Sequence, residues 1–166
     1  MNHMNRQALL KNIKMVIFDF DGVFTNNQVI VHQDGTESVI CNRSDGLGLD
    51  MLRKLGIQMA IVSTEKNPVV LARAKKLRLD CFHSTEIKAD KVKKLAKKKG
   101  IALNQVAYVG NDINDLESLK IVGVPITVAD AYPEIKKIAK IILTRNGGHA
   151  AVRELCELIT REKNGK

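Results

Sequence analysis

The sequence predicts an α/β fold: a central parallel sheet flanked by helices, with a small β-hairpin flap and no large cap domain. Two observations carry this prediction. Short runs of β-branched and apolar residues alternate with longer stretches whose apolar residues recur at helical spacing, the pattern of βαβ units. Polar residues also collect directly after the apolar runs: Asp19 and Asp21 after the first, Ser63 after a middle one, and Asn111, Asp112 and Asp115 after a later one. Strands of an open parallel sheet end at one edge, where ligands bind, so these distant residues are expected to meet there. At 166 residues the chain can bury a real core, and residues 1–166 are expected to form one domain.

The first strand is expected over 14–19, where Met15, Val16, Ile17 and Phe18 run without a break. Segments 28–32 and 37–42 are expected to pair as a hairpin, because Gln33, Asp34 and Gly35 between them supply turn chemistry. A helix over 45–55 and a strand over 57–62 follow. Asn67 and Pro68 suit a helix cap and a first helical position, and Val70, Leu71, Ala74 and Leu77 continue at helical spacing. A short strand over 80–83 precedes a basic helix opened by Asp90. The remaining elements are a strand over 105–109, a helix over 113–121, a strand over 124–128, a short helix over 132–138, a strand over 140–143 and a final helix over 148–160.

Composition narrows the partners. The net charge of +9 points to an anionic partner. Much of the positive charge sits in one run, Lys91, Lys93, Lys94, Lys97, Lys98 and Lys99, which reads as a solvated helix face. With aromatics at 4% and no Trp, base stacking has little to work with, so no nucleic-acid partner is expected. No apolar run approaches the ~20 residues of a membrane-spanning helix, and residues 1–14 carry no secretory signal pattern. Cys41, Cys81 and Cys156 are odd in number and far apart, which suits a reducing cytoplasm.

The chemistry lies in the strand-ending residues. On an extended segment Asp19 and Asp21 point the same way while Phe20 points elsewhere. Two carboxylates side by side need a shared proton or a cation, and oxygen-rich clusters of this kind suit Mg²⁺. Residues 110–115 form a second acidic knot. One helix cap needs one Asn or Asp rather than four in five positions, so metal binding is the expected use and capping a secondary one. Ser63 and Thr64 stand where a phosphate could be received. Only a lysine close to the strand ends could join such a site, and Lys91, after Asp90, is expected to do so.

Taken together, Ile17, Phe18, Asp19, Phe20, Asp21 and Gly22, then Ser63, then Lys91, then Gly110 to Asp115 resemble the haloacid dehalogenase (HAD) superfamily of phosphotransferases over residues 13–158. Residues 42–48, 128–131 and 147–154 narrow the resemblance to the 3-deoxy-D-manno-octulosonate 8-phosphate (KDO 8-phosphate) phosphatase group, including its acylneuraminate cytidylyltransferase-associated branch. The resemblance implies a Rossmann-like HAD fold and Mg²⁺-dependent hydrolysis of a sugar acid phosphate monoester. It assigns Asp19 as nucleophile and Asp21 as acid and base. Ser63 would hold the phosphoryl group, and Lys91 would balance charge and touch substrate. Asp19, Asp21, Asn111, Asp112 and Asp115 would serve the metal, Asn111 standing where the family has a ligating Asp. Asn42, Arg43, Ser44, Asp45 and Gly46 would border the sugar phosphate, with Arg73 adding a cation.

The same resemblance implies a homotetramer, in which a neighbouring subunit covers the site and the hairpin makes the contact. Two departures remove positive charge: Glu65 and Asp50 stand at or near positions where octulosonate enzymes carry arginine. They keep open a nine-carbon acid phosphate as substrate. A silent oligomerisation module is the other alternative.

Overall fold

The computed structural model of the protein describes residues 3–165. In chain order the elements are α1 (His3–Asn12), β1 (Met15–Phe18), β2 (Ile30–Val31), β3 (Glu37–Ser38), α2 (Ser44–Lys54), β4 (Gln58–Val62), α3 (Val69–Leu77), β5 (Asp80–Phe82), α4 (Lys88–Lys98), β6 (Val106–Gly110), α5 (Leu116–Ile121), β7 (Val124–Thr127), α6 (Pro133–Ile138), β8 (Ile141–Ile142) and α7 (Ala151–Lys163). All six strands expected for the main sheet are present, parallel, in the order β5-β4-β1-β6-β7-β8.

β1 lies between β4 and β6 and is buried on both faces, which is why its sequence is apolar throughout rather than alternating. From β1 and β4 the sheet grows in one direction to β5. From β6 it grows in the other to β7 and β8. The order therefore reverses between β1 and β6, and a crevice opens beyond their carboxyl ends, at Asp19 and Gly110. α7 packs on α2 and α1, and α4 packs on α5. Phe18, Phe20 and Phe24 interlock in the core beneath the crevice, with ring centroids 5.4 and 5.9 Å apart. Phe20 thus turns inward, as the two-residue periodicity of an extended chain requires.

Several elements differ from the sequence expectation. α1 is additional. Its face is weakly amphipathic, and it is anchored mainly by the burial of Leu10 and by packing on α7. α4 begins at Lys88 rather than Asp90, so Asp90 lies in its first turn. The hairpin strands shorten to two residues each and stand apart from the main sheet, around an Asp34 carboxylate that accepts from the Thr36 N–H at 3.0 Å and its hydroxyl at 2.7 Å.

α7 begins at Ala151, since Gly147 and Gly148 belong to a loop whose Gly148 N–H donates to the Val23 carbonyl at 3.1 Å. Its cap position is Ala150, which has no side-chain oxygen. The missing acceptor comes from α2, where Asp45 Oδ1 receives the Arg153 N–H at 3.1 Å. No helix among the described residues is long and apolar enough to cross a membrane.

Candidate active site

Asp19, the residue after β1, is 4% exposed. Its Oδ1 accepts the Phe20 N–H at 2.7 Å, and its Oδ2 lies 2.8 Å from Lys88 Nζ. The same ammonium lies 2.8 Å from Asp115 Oδ1. Asp115 Oδ1 also accepts the Tyr108 hydroxyl at 2.7 Å, and its Oδ2 accepts the Asn111 and Asp112 N–H groups at 2.9 and 3.3 Å.

A carboxylate offers about four lone-pair directions, and Asp115 has filled them. The expectation that Asp115 ligates an ion is therefore corrected. It is a fully buried brace that orients Lys88 and the β6 loop. Capping, expected as secondary, is its main work, because Asp112 and Asp115 form a reciprocal capping box around the helical turn Ile113–Asp115.

Burial, and then the neighbouring Asp115 charge, push the Asp19 carboxyl far up, to about 8, against the opposing pull of Lys88. Burial also pulls the Lys88 ammonium down, but Asp19 and then Asp115 outweigh it and raise it overall. Tyr108 is raised well above its ordinary value by burial and by Asp115, so it stays a hydrogen-bond donor.

Lys91 is not part of this cluster. One turn beyond Lys88, its ammonium lies over the Phe82 ring, 4.4 Å from the centroid. The error came from the helix start. Asp90 resembles a cap, but the helix starts at Lys88, three residues before Lys91. Lys88, nearer the end of β5, satisfies the requirement of proximity to the strand ends that the sequence already suggested. Tyr108 left no signal, since a buried tyrosine in a strand reads as core.

Beside Asp19 lies a cleft of about 180 Å³, lined by Asp21, Ser63, Thr64, Asn111, Asp112 and Asn114 among others. Asn111 is buried, and its Oδ1 has no hydrogen-bond donor. A buried amide oxygen without a donor costs free energy unless a cation satisfies it. Gly22 has φ +74°, and a Cβ there would lie 2.0 Å from Asn111 Nδ2, so the Asp-Gly step admits Asn111 to the site.

No set of three His, Cys, Asp or Glu side chains is spaced to hold an ion among the described residues. The available set is mixed: Asp19, Asp21 and Asp112 line the cleft beside Asn111, whose amide oxygen has no donor. Oxygen donors of this kind fit a hard divalent cation such as Mg²⁺.

Asp21 is half-buried and accepts the Thr25 hydroxyl at 3.2 Å. Burial raises its carboxyl, Thr25 lowers it, and the charges of Glu65 and Glu37 add to the rise. Ser63 Oγ, 1% exposed as a residue, accepts the Glu65 N–H at 3.1 Å and keeps its own proton to donate. Past Asp21, Asn27 and Glu65 the cleft continues into a chamber of about 240 Å³ under the hairpin, bounded by Glu37, Val39, Asn67 and Val69.

Asn42, Arg43, Ser44, Asp45, Gly46 and Arg73 line neither part of this cleft. Within one chain they form the seam between α2, α3 and α7. Asn42 Oδ1 accepts the Ser44 N–H at 3.0 Å and hydroxyl at 2.7 Å, and Arg73 Nη2 donates to the Asn42 carbonyl at 2.7 Å. Arg43 is exposed, and Gly46 faces Leu77. Asp45 caps α7. The resemblance carried these positions to the substrate, whereas hydrogen bonding commits most of them to the frame.

Burial raises the Asp45 carboxyl to about 6, with the Arg153 N–H and the Arg73 charge opposing it. The folded value exceeds the unfolded one, so this group's contribution to stability falls as pH rises from about 4 to about 6. Asp45→Asn is expected to flatten that dependence, by on the order of 2 kcal/mol between pH 4 and pH 7, as read by urea denaturation across pH. Identical slopes in the two proteins would contradict the placement of Asp45.

Residues 49–155 match the haloacid dehalogenase-like hydrolase family. A 3-deoxy-D-manno-octulosonate 8-phosphate phosphatase from Haemophilus influenzae is 33% identical over 154 residues, covering 92% of this chain and 86% of the relative. The crystal structure of a phosphatase of that name from Moraxella catarrhalis, in complex with magnesium ion, phosphate ion and KDO, superposes with a TM-score of 0.94 at 33% identity, covering 99% of this chain and 95% of that one. A cobalt-bound form of the Haemophilus influenzae enzyme superposes with a TM-score of 0.89 at 32% identity, covering 94% and 92% of the two chains.

Proposed function

This chain belongs to the haloacid dehalogenase-like hydrolase family, and on that premise we propose that it hydrolyses the phosphate monoester of a 2-keto-3-deoxy sugar acid, of the KDO 8-phosphate type, through an aspartyl-phosphate. The observation that carries the proposal is the Asp19–Lys88–Asp115 cluster, closed on the protein side and open on the other to a cleft with an unsatisfied amide oxygen. Asp19, Asp21, Asn111 and Asp112 would hold Mg²⁺, which would supply the positive charge that lets a carboxylate and a phosphate dianion approach.

In this mechanism an Asp19 carboxylate oxygen forms a bond to phosphorus as the ester P–O bond breaks. Asp21, whose carboxyl burial raises, gives a proton to the departing sugar oxygen. In the second half Asp21 takes a proton from water, the water oxygen bonds to phosphorus, and the Asp19–phosphorus bond breaks to release phosphate. Lys88 opposes the rise that burial and Asp115 impose on Asp19, and so favours the ionised, attacking form. The Ser63 hydroxyl donates to the phosphoryl oxygens, where charge builds in the transition state.

The experiment is phosphate release from KDO 8-phosphate, with an acylneuraminate 9-phosphate alongside. Full loss on chelation and recovery with Mg²⁺ are expected. Turnover that survives chelation would overturn the metal-dependent reading, and no turnover of either ester would overturn the phosphatase reading.

We also propose a homotetramer working in the cytoplasm. The hairpin supports the assembly, because Val29, Ile30, Val31 and Ile40 are each about half exposed or more and give an apolar patch for a neighbouring copy. The three free cysteines support the compartment. A light-scattering mass of one chain would overturn the assembly.

A further inference from the structure

We propose that Glu37 and Glu65 select esters whose phosphate-bearing end is an uncharged polyol and reject esters that carry negative charge close to the phosphate. This rests on the phosphatase reading above and specifies which leaving groups the site takes.

The chamber beyond Asp21 is where a leaving group must lie, since Asp21 protonates its oxygen. Glu37 and Glu65 line it, together with the neutral amides of Asn27, Gln28 and Asn67. Among the described residues, no lysine, arginine or histidine lines this chamber or the phosphate end of the cleft. Lys88 is engaged by Asp19 and Asp115, and Arg73 donates to the Asn42 carbonyl.

Both carboxylates are held in place. Glu65 Oε1 accepts the Lys66 and Asn67 N–H groups at 2.6 and 2.8 Å, and Glu37 Oε2 accepts the Asn67 side-chain amide at 3.0 Å. Asn67 thus ties the hairpin to the loop after β4 and fixes both charges beside Asp21. Both reach far enough to raise the Asp21 carboxyl.

A substrate enters with a phosphate dianion, whose charge Lys88 and a divalent ion can meet. A second anion a few atoms away would face two carboxylates with no counter-charge from this chain's lining. In a partly desolvated cleft, each like-charged pair separated by about 5–6 Å costs on the order of tenfold in binding even after salt screening. Hydroxyl groups, in contrast, are donors that carboxylate oxygens accept. An eight-carbon acid esterified at its terminal hydroxyl fits, because its carboxylate sits at the opposite end of the carbon chain from the phosphate.

The test compares glycerol 3-phosphate with 3-phosphoglycerate, which differ by a hydroxymethyl group against a carboxylate, with KDO 8-phosphate as reference. The wild-type protein is expected to favour glycerol 3-phosphate in kcat/KM by about tenfold or more. Glu65→Gln and Glu37→Gln should each lower that ratio, and Glu65→Arg should bring it to one or invert it. Reading a ratio removes any general loss from disturbance of the loop. A wild-type ratio near one, or a ratio that Glu65→Arg leaves unchanged, overturns the selectivity while KDO 8-phosphate turnover leaves the hydrolase reading standing. No hydrolysis of any of the three overturns both.

Discussion

Lys88→Met is expected to lower phosphate release by about a thousandfold or more, whereas Lys91→Met should stay within about twofold of the unaltered protein. Lys88 Nζ lies 2.8 Å from both Asp19 and Asp115 with essentially no exposure to water. Its removal leaves two buried carboxylates facing each other without a cation. Such a site relieves itself by binding a proton, and Asp19, already pushed up by burial and by Asp115, is the group that takes it. A protonated Asp19 is a poor nucleophile. Breaking a buried ion cluster also costs about 3–5 kcal/mol, less whatever protonation recovers, so the thermal midpoint should fall.

Lys91 is different in kind. Its contact with Phe82 is a partly exposed cation–π pair worth about 0.5–1 kcal/mol. Steady-state phosphate release by both variants, with circular dichroism to show that each is folded, decides the assignment. Equal losses in the two variants would contradict it.

Asp19→Asn should abolish turnover, by about ten-thousandfold or more, while making the metal-free protein more resistant to heat. The two effects share one origin. Asn keeps an oxygen for the Phe20 N–H, and it removes a buried negative charge beside Asp115. The sign with pH follows. The folded Asp19 carboxyl lies near 8 and the unfolded one near 3.8, so the native protein binds the extra proton between these values. The cost of ionising Asp19 therefore grows as pH rises from about 4 to about 8. The gain of Asp19→Asn over the unaltered protein should be larger at pH 8 than at pH 5. Scanning calorimetry in chelator measures it, and Mg²⁺ should then stabilise the unaltered protein more than the variant. A variant that is inactive and also less stable at pH 8 would show that Asp19 is a structural anion.

Much of this site could be read before any coordinates. Asp19, Asp21, Ser63, Asn111 and Asp112 each follow an apolar run, and a parallel sheet delivers such residues to one edge. The Asp19–Phe20–Asp21 alternation needed only the two-residue period of an extended chain. Lys88 was legible in principle and was missed because Asp90 looks like a helix cap. The distinct duties of three acidic-knot residues were not legible. Asn111 lines the cleft with a buried oxygen that has no donor, Asp112 caps a helical turn, and Asp115 spends all its lone pairs on four donors.

What the sequence determined alone is what repeats along a chain: the order of strands and helices, the sheet they build, and the edge where the carboxylates gather. These follow from local periodicity and from burial of apolar runs. The tertiary structure decided the pairings between distant segments, namely Lys88 with Asp19 and Asp115, Tyr108 with Asp115, and Asp45 with the start of α7. A hydrogen bond or an ion pair requires atoms within about 3 Å. Residues tens of positions apart reach that distance only when the packing of the whole core sets where each helix begins and which way it faces.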